Sequence, residues 1–158
     1  MCPGFQGGAN WYSTSFNPMT GLYYFSALER CNLFQKKSME WEAGKGFMGG
    51  TARPAPGESF VKSVRAINIQ TGEVAWDLPQ VSGPATSSAG VLSTASGLVF
   101  FGENSGSFMA ADALTGKVLW DFGTNHLWKS SPMTYMFDNK QYIVIPIGQS
   151  IVAFGLPE

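Results

Sequence analysis

Few residues of this sequence are of the types that usually carry catalysis or bind metals. His126 is the only histidine, and it has neither a second histidine at ligand spacing nor a serine or cysteine in a recognisable nucleophile motif. The carboxylates are dispersed, and roles in turns or at strand edges account for them; they include Glu103, Asp112, Asp121 and Asp138. We therefore predict no catalytic residue and no metal ligand among these 158 residues.

One glycine-rich string resembles a nucleotide-binding motif. Residues 44–49, Gly-Lys-Gly-Phe-Met-Gly, match the pattern G-x-G-x-x-G. A dinucleotide site needs a strand before this string and a helix after it, because the helix N-terminus binds the pyrophosphate. Here the Pro-rich stretch 51–57 follows. We interpret the string as part of a loop.

The two cysteines, Cys2 and Cys31, allow two interpretations. A disulfide between them would close a loop of about 30 residues, which stabilises a fold by roughly 3–4 kcal/mol. From the count alone, two free buried thiols in a reducing compartment are the favoured interpretation.

Composition indicates a single all-β domain and excludes several classes of partner. The chain is 44% hydrophobic and 14% aromatic, which is enough for a core, and its 19 glycines and 9 prolines favour short strands joined by tight turns. The net charge of −1 comes from scattered residues, so no nucleic-acid-binding surface is predicted. No apolar run reaches the roughly 18 residues of a membrane span, and the first residues lack the layout of a signal peptide. Any export signal must lie outside this segment.

An internal repeat is the most informative feature of the sequence. The stretch from Ala66 to Trp76 recurs from Ala110 to Trp120, so the copies start 44 residues apart, and in both of them Gly follows the Ala by six positions and Trp follows it by ten. A third, degenerate copy covers residues 16–24. This period is close to that of one four-stranded propeller blade.

Each full copy predicts a β-hairpin. Asn68 or Asp112 bonds forward to the turn backbone, and Thr-Gly supplies the turn, with Gly72 or Gly116 where φ is positive. The small Ala leaves room for a large ring, so we expect both Trp residues to be buried between adjacent sheets and to be structural. Further strands are predicted at 22–28, 60–69, 73–77, 90–95, 98–102, 107–112, 117–122, 132–137, 141–147 and 150–155. Residues 32–58, rich in Gly and Pro, are expected to form a long loop between blades.

Three stretches resemble a known family. Residues 2–18, which include Cys-Pro-Gly-Phe-Gln-Gly-Gly-Ala-Asn-Trp, are similar to a segment in the second half of methanol- and ethanol-type quinoprotein dehydrogenases. Residues 90–102 resemble a blade strand of that family, and residues 131–142 resemble its closing blade. The chain is therefore identified as a C-terminal segment of an alcohol dehydrogenase that depends on pyrroloquinoline quinone (PQQ).

The resemblance implies an all-β fold in which residues 1–158 supply about three four-stranded blades of an eight-bladed β-propeller. In this family PQQ and a calcium ion lie on the central axis. The catalytic Asp and the calcium ligands belong to earlier blades, and no position here matches them, so the chain alone should neither catalyse nor bind these cofactors tightly. The whole protein is expected to oxidise an alcohol and to pass electrons to a cytochrome c-type acceptor.

The resemblance also assigns individual residues. The position matching Asn10 lines the quinone pocket, where a side-chain amide can both donate to and accept from the quinone, and Trp11 next to it is assigned to the same pocket. The positions matching Cys2 and Cys31 form a disulfide, which implies a periplasmic location. Methanol dehydrogenases carry a Trp over the cofactor where this sequence has Ser88, so a methanol-type pocket is not expected and the substrate stays open.

Two other interpretations compete with this one. A non-enzymatic propeller scaffold of the outer-membrane assembly type shares the Ala, Thr-Gly and Trp repeat, but it has no need for Cys2, Cys31 or the Gly-Ala-Asn-Trp stretch. A small stand-alone β domain that binds a partner by its sheet edges is the second alternative.

Overall fold

The computed structural model describes residues 1–80, 89–103 and 105–156, so Ser88 lies outside the described residues. All regular elements in these ranges are β-strands. In chain order they are β1 (Ser15–Asn17), β2 (Leu22–Glu29), β3 (Asn32–Lys36), β4 (Gly50–Pro54), β5 (Val61–Asn68), β6 (Val74–Pro79), β7 (Val91–Ser93), β8 (Leu98–Gly102), β9 (Ser107–Asp112), β10 (Val118–Gly123), β11 (Met133–Phe137), β12 (Lys140–Ile147) and β13 (Ser150–Gly155). None of the described residues belongs to a helix long and apolar enough to cross a membrane.

The strands form antiparallel sheets of blade size, which confirms the predicted all-β fold. The two larger sheets have the orders β1-β2-β5-β6 and β10-β9-β8-β7, and a third has the order β11-β12-β13. A separate hairpin joins β3 and β4. The chain divides into a smaller unit, Met1–Asn10 with Leu28–Val61, and a larger unit, Trp11–Ala27 with Lys62–Glu158.

Both full copies of the repeat form the same hairpin. Ala66 on β5 lies opposite Trp76 on β6, and Ala110 on β9 lies opposite Trp120 on β10. In both hairpins a register shift lies next to this pair. In both repeats the small Ala is therefore the cross-strand partner of the Trp.

In the turn of each hairpin, one polar side chain accepts hydrogen bonds from the turn backbone. The Asn68 side-chain oxygen accepts the backbone N–H of Thr71 at 3.2 Å, and the Asp112 carboxylate accepts that of Thr115 at 2.8 Å. The glycine that follows has a positive φ, 75° at Gly72 and 71° at Gly116. Only glycine adopts this conformation without strain, which explains the Thr-Gly pattern.

The strand β8 is buried on both faces, as its continuous apolar run predicts. Val99 and Phe101 pack into one core cluster, whereas Phe100, which points to the opposite side, packs into a second. The first cluster consists of Leu22, Tyr24, Val64, Ala66, Trp76, Val91, Val99, Phe101, Ala111 and Ala113. The second consists of Ala89, Phe100, Phe108, Ala110, Trp128, Ile143, Ile145 and Ile147. The alternation places β8 between two layers of neighbouring side chains.

Residues 32–58 differ from the expected loop between blades. They contain the β3–β4 hairpin, and in sequence they fall between β2 and β5, which are strands of a single sheet. They are therefore an insertion within a blade. The Gly and Pro residues that suggested a loop lie mostly in the connection between β3 and β4 and in the stretch after β4.

The degenerate copy at 16–24 joins a different pair of strands from the two full copies. Its Thr20-Gly21 turn joins β1 to β2, and Gly97 occupies the comparable turn between β7 and β8. The two full copies instead join the last two strands of their sheets. The likeness in sequence arises because both turns need a residue with positive φ, 69° at Gly21.

The expectation that both repeat tryptophans are buried is wrong for Trp120. Trp76 is 9% exposed, whereas Trp120 is 39% exposed. Trp76 donates its indole N–H to the Ala113 carbonyl at 2.9 Å and packs beneath Gly116, where an added Cβ would lie 2.7 Å from the indole. Among the described residues no Thr-Gly turn covers Trp120 in this way.

Candidate functional site

The residues assigned to the quinone pocket lie in the segment that leads into β1. Asn10 and Trp11 are both exposed, and the Trp11 indole is 78% accessible. The ring of Tyr12 lies 4.5 Å from the Trp11 ring, centroid to centroid. The segment thus presents a side-chain amide and a flat aromatic surface immediately before an end strand of a sheet.

The chain before Asn10 is fixed within the smaller unit by several contacts. Cys2 and Cys31 form a disulfide with their Cα atoms 4.5 Å apart. The Gly4 N–H donates to the Arg30 carbonyl at 2.6 Å, and the Phe5 N–H donates to the side-chain oxygen of Asn32 at 2.9 Å. A Cβ at Gly4 would overlap that side chain, so glycine is required for the close approach. These contacts hold residues 1–5 against the turn after β2.

A buried pair of opposite charges lies in the larger unit, and sequence reasoning missed it. Lys62 and Glu103 are each 4% exposed. Burial lowers the pKa of Lys62 to about 8, while the negative charge of Glu103 opposes that shift. The Glu103 carboxylate accepts hydrogen bonds from the backbone N–H and the hydroxyl of Ser105. Lys62 is the second residue of β5, a strand whose sequence reads as ordinary alternation, so the burial of Lys62 has no signal in the sequence.

The remaining candidates for chemistry lie apart from one another. His126 is exposed, and its backbone N–H donates to the Thr124 hydroxyl. The Asp112 carboxylate accepts hydrogen bonds within the β9–β10 turn, and those from Thr115 lower the pKa of Asp112. Within 1–80, 89–103 and 105–156, no group of three acidic, histidine or cysteine side chains is placed to hold a metal ion.

An apolar cavity of about 470 Å³ opens beside Trp120 in the larger unit. Its lining includes Leu98, Phe100, Ile143 and Phe154, with the polar side chains of Thr94, Ser96 and Gln141 also on its wall. The rings of Trp120 and Phe154 meet edge to face at 5.3 Å. The cavity lies next to Trp120, whereas the Gly116 turn lies next to Trp76.

Comparison with known proteins identifies the origin of these features. The family model of the glucose/ethanol/alcohol dehydrogenase β-propeller domain matches residues 77–143. The chain is 34% identical over 153 residues to a quinoprotein ethanol dehydrogenase of Pseudomonas putida, an alignment that covers 94% of this chain and 23% of that protein. The match to a quinohemoprotein alcohol dehydrogenase structure from Pseudomonas putida has a TM-score of 0.78 at 28% identity and covers 95% of this chain and 23% of that one. The match to the Comamonas testosteroni quinohemoprotein alcohol dehydrogenase structure has a TM-score of 0.77 at 29% identity and covers 95% of this chain and 24% of that one.

The sheets, the repeated hairpins and these matches together define a piece of a β-propeller. Along nearly its whole length the chain is similar to one segment of PQQ-dependent alcohol dehydrogenases, and it spans about a quarter of the length of the curated relatives it matches.

The exposed residues of this segment fit the cofactor that the family implies. PQQ is a planar, oxygen-rich ring system, so a side-chain amide suits its oxygen atoms and an indole suits its plane. Asn10 supplies the first group and Trp11 the second, and both are accessible. The two side chains are adjacent in sequence and carry the chemistry of a quinone contact.

Proposed function

We propose that this chain forms part of a PQQ-dependent dehydrogenase that oxidises an alcohol and passes the electrons to a cytochrome c-type acceptor. The observation that carries the proposal is the match along 94–95% of the chain to quinoprotein and quinohemoprotein alcohol dehydrogenases. The repeat and the Asn10-Trp11 segment support it, because a scaffold propeller has no use for an exposed amide and indole at this place.

Asn10 and Trp11 would bind and orient the quinone in this proposal. The Asn10 amide would hydrogen-bond to quinone oxygens, and the Trp11 ring would cover part of its plane and exclude water. When bound, PQQ supplies the electrophilic carbonyl that accepts a hydride from the alcohol. We assign the catalytic Asp and the calcium ligands to the other blades of an eight-bladed ring, because no residue here matches those positions.

The Cys2–Cys31 disulfide supports a periplasmic location for the whole protein. Disulfides persist in oxidising compartments and are rare in the cytosol. The bond ties residue 2 to residue 31 ahead of the quinone-binding segment. We therefore place the protein in the periplasm, where it would meet its electron acceptor.

A segment exchange tests the proposal. The chain replaces the aligned residues of the Comamonas testosteroni enzyme, which is 34% identical over 158 residues, and the purified apoprotein is titrated with PQQ in the presence of calcium. We expect the exchanged protein to bind PQQ, and Asn10→Ala or Trp11→Ala to weaken binding about tenfold. A folded exchanged protein that does not bind PQQ would contradict the proposal.

Trp41 offers a matched control for Trp11. Both indoles are largely exposed, at 71% and 78%, so replacement of either should leave the melting temperature unchanged. Trp41→Ala should keep the affinity for PQQ. Equal affinities in Trp11→Ala and Trp41→Ala would remove Trp11 from the site.

A further inference from the structure

Three segments of the larger unit meet at Gly90. They lead into β1, β7 and β11, which are end strands of three different sheets. A Cβ built on Gly90 would overlap the hydroxyl oxygens of both Ser13 and Ser131. Gly90 has no positive φ, so it is the space between the two serines that requires a glycine here.

Hydrogen bonds join the three segments at this point, which we call the strand junction (Ser13, Gly90, Val91, Ser130 and Ser131). The Ser13 N–H donates to the Ser131 hydroxyl at 3.3 Å, across 118 residues of sequence. The Ser13 hydroxyl donates to the Val91 carbonyl at 3.3 Å, and the Val91 N–H donates to the Ser13 carbonyl at 2.9 Å. The Gly90 N–H donates to the Ser130 carbonyl at 3.3 Å.

Ser13 is therefore held from two sides by sheets other than its own. It lies two residues after Trp11, too close in the chain for a displacement of Ser13 to leave the indole in place. Within the larger unit, the strand junction thus fixes the backbone two residues after Trp11. A ring that must cover one face of a cofactor works only when it is held in the productive geometry.

We propose that Ser131 and Gly90 are positioning residues for Trp11, which they place for contact with PQQ. The inference rests on the proposed function. Neither residue needs to touch the cofactor. Gly90 lets the serines approach, and Ser131 supplies the acceptor for the Ser13 N–H.

The first test measures PQQ affinity in the exchanged protein. Ser131→Ala removes the acceptor, and we expect the Kd for PQQ to rise about three- to tenfold. Ser131→Thr keeps a hydroxyl and should restore most of the affinity. Ser130→Ala is the matched control, because Ser130 takes part in the strand junction through its backbone carbonyl, which the variant keeps, and its hydroxyl donates instead to the Pro146 carbonyl at 2.7 Å. Its Kd should be close to that of the parent.

The second test needs no cofactor and uses the exchanged protein as the apoprotein. Hydrogen exchange of the Ser13 N–H should be faster in Ser131→Ala than in the parent, and normal in Ser131→Thr and Ser130→Ala. Unchanged exchange at Ser13, or a Kd for Ser131→Ala equal to that of the parent, would overturn the positioning role alone. Failure of the unmodified exchanged protein to bind PQQ would overturn the proposed function, and the role of Ser131 toward PQQ with it.

Discussion

The two seams between neighbouring sheets of the larger unit differ in how the repeated tryptophan is covered. The first seam, between β1-β2-β5-β6 and β10-β9-β8-β7, buries Trp76 beneath Gly116 and gives its N–H the Ala113 carbonyl. The Tyr24 hydroxyl donates to the same carbonyl at 3.1 Å. One carbonyl thus receives two hydrogen bonds from aromatic side chains, and the seam closes tightly.

At the second seam, between β10-β9-β8-β7 and β11-β12-β13, Trp120 has ring contacts in place of the turn and the carbonyl that cover Trp76. Trp120 meets Phe154 at 5.3 Å, and Phe154 in turn meets Phe108 at 5.6 Å. Trp120 remains 39% exposed beside the cavity of about 470 Å³.

The difference shows what the repeat encodes and what it does not. The same Ala-to-Trp stretch forms the same hairpin twice, because that hairpin is local. Burial of the Trp depends on the next repeat, whose turn supplies both the glycine that lets the indole approach and the carbonyl that accepts its N–H. A propeller motif of this kind is completed only by its neighbour.

Truncation of the two tryptophans should give the largest contrast. Trp76→Ala removes a buried ring and its hydrogen bond, and should lower the free energy of unfolding by about 3–5 kcal/mol. Trp120→Ala should cost about 1–2 kcal/mol, because part of that ring is already in water. Urea unfolding of the chain measures both, at a protein concentration low enough to keep it monomeric. Equal losses would show that the two seams are energetically alike.

Substitution of the turn glycines tests the contact between Gly116 and Trp76 at the first seam. Gly116→Ala adds a Cβ against the Trp76 indole at a φ of 71°, and should cost about 2–3 kcal/mol. Gly72→Ala is the matched control, since its φ is 75° but nothing lies within 4 Å of the added Cβ. It should cost about 1 kcal/mol. If both variants lose the same stability, the contact between Gly116 and Trp76 contributes nothing.

The pH dependence of Lys62 should give the smallest effect. Its pKa of about 8 in the folded chain lies below the ordinary 10.5, so the charged form costs stability that returns as the pH rises above about 8. Between pH 7.5 and 9.5 the stability of the parent should rise by roughly 1–2 kcal/mol relative to Lys62→Met. Parallel pH profiles for the two proteins would exclude a shifted pKa at Lys62.

Local patterns predicted much of the fold. The Ala, Thr-Gly and Trp spacing gave both hairpins, and the apolar run 98–101 indicated a strand buried on both faces, because each depends on neighbours within a few residues. The β3–β4 hairpin escaped prediction because its strands are short and mostly exposed and lie beside a Gly-rich connection. Nothing local distinguishes Trp120 from Trp76.

Residues whose roles depend on distant contacts could not be predicted from one sequence. Gly90 reads as the first residue of the predicted strand 90–95, yet the serines that exclude a side chain there lie 77 residues before it and 41 residues after it. Lys62 reads as one polar position in an alternating strand, and its charge partner Glu103 reads as a residue in a turn. In each case the sequence holds the residue types and only the fold brings them together.

The most direct test of the central claim, that this chain is a propeller segment that other blades complete, is its behaviour in isolation. Exposed apolar side chains such as Trp120 and Phe122 should make the purified 158 residues associate or precipitate. Analytical ultracentrifugation gives the mass, and calorimetric titration with PQQ and calcium gives the affinities. We expect self-association and no tight binding of either cofactor. A stable monomer that binds PQQ with micromolar or better affinity would contradict the account.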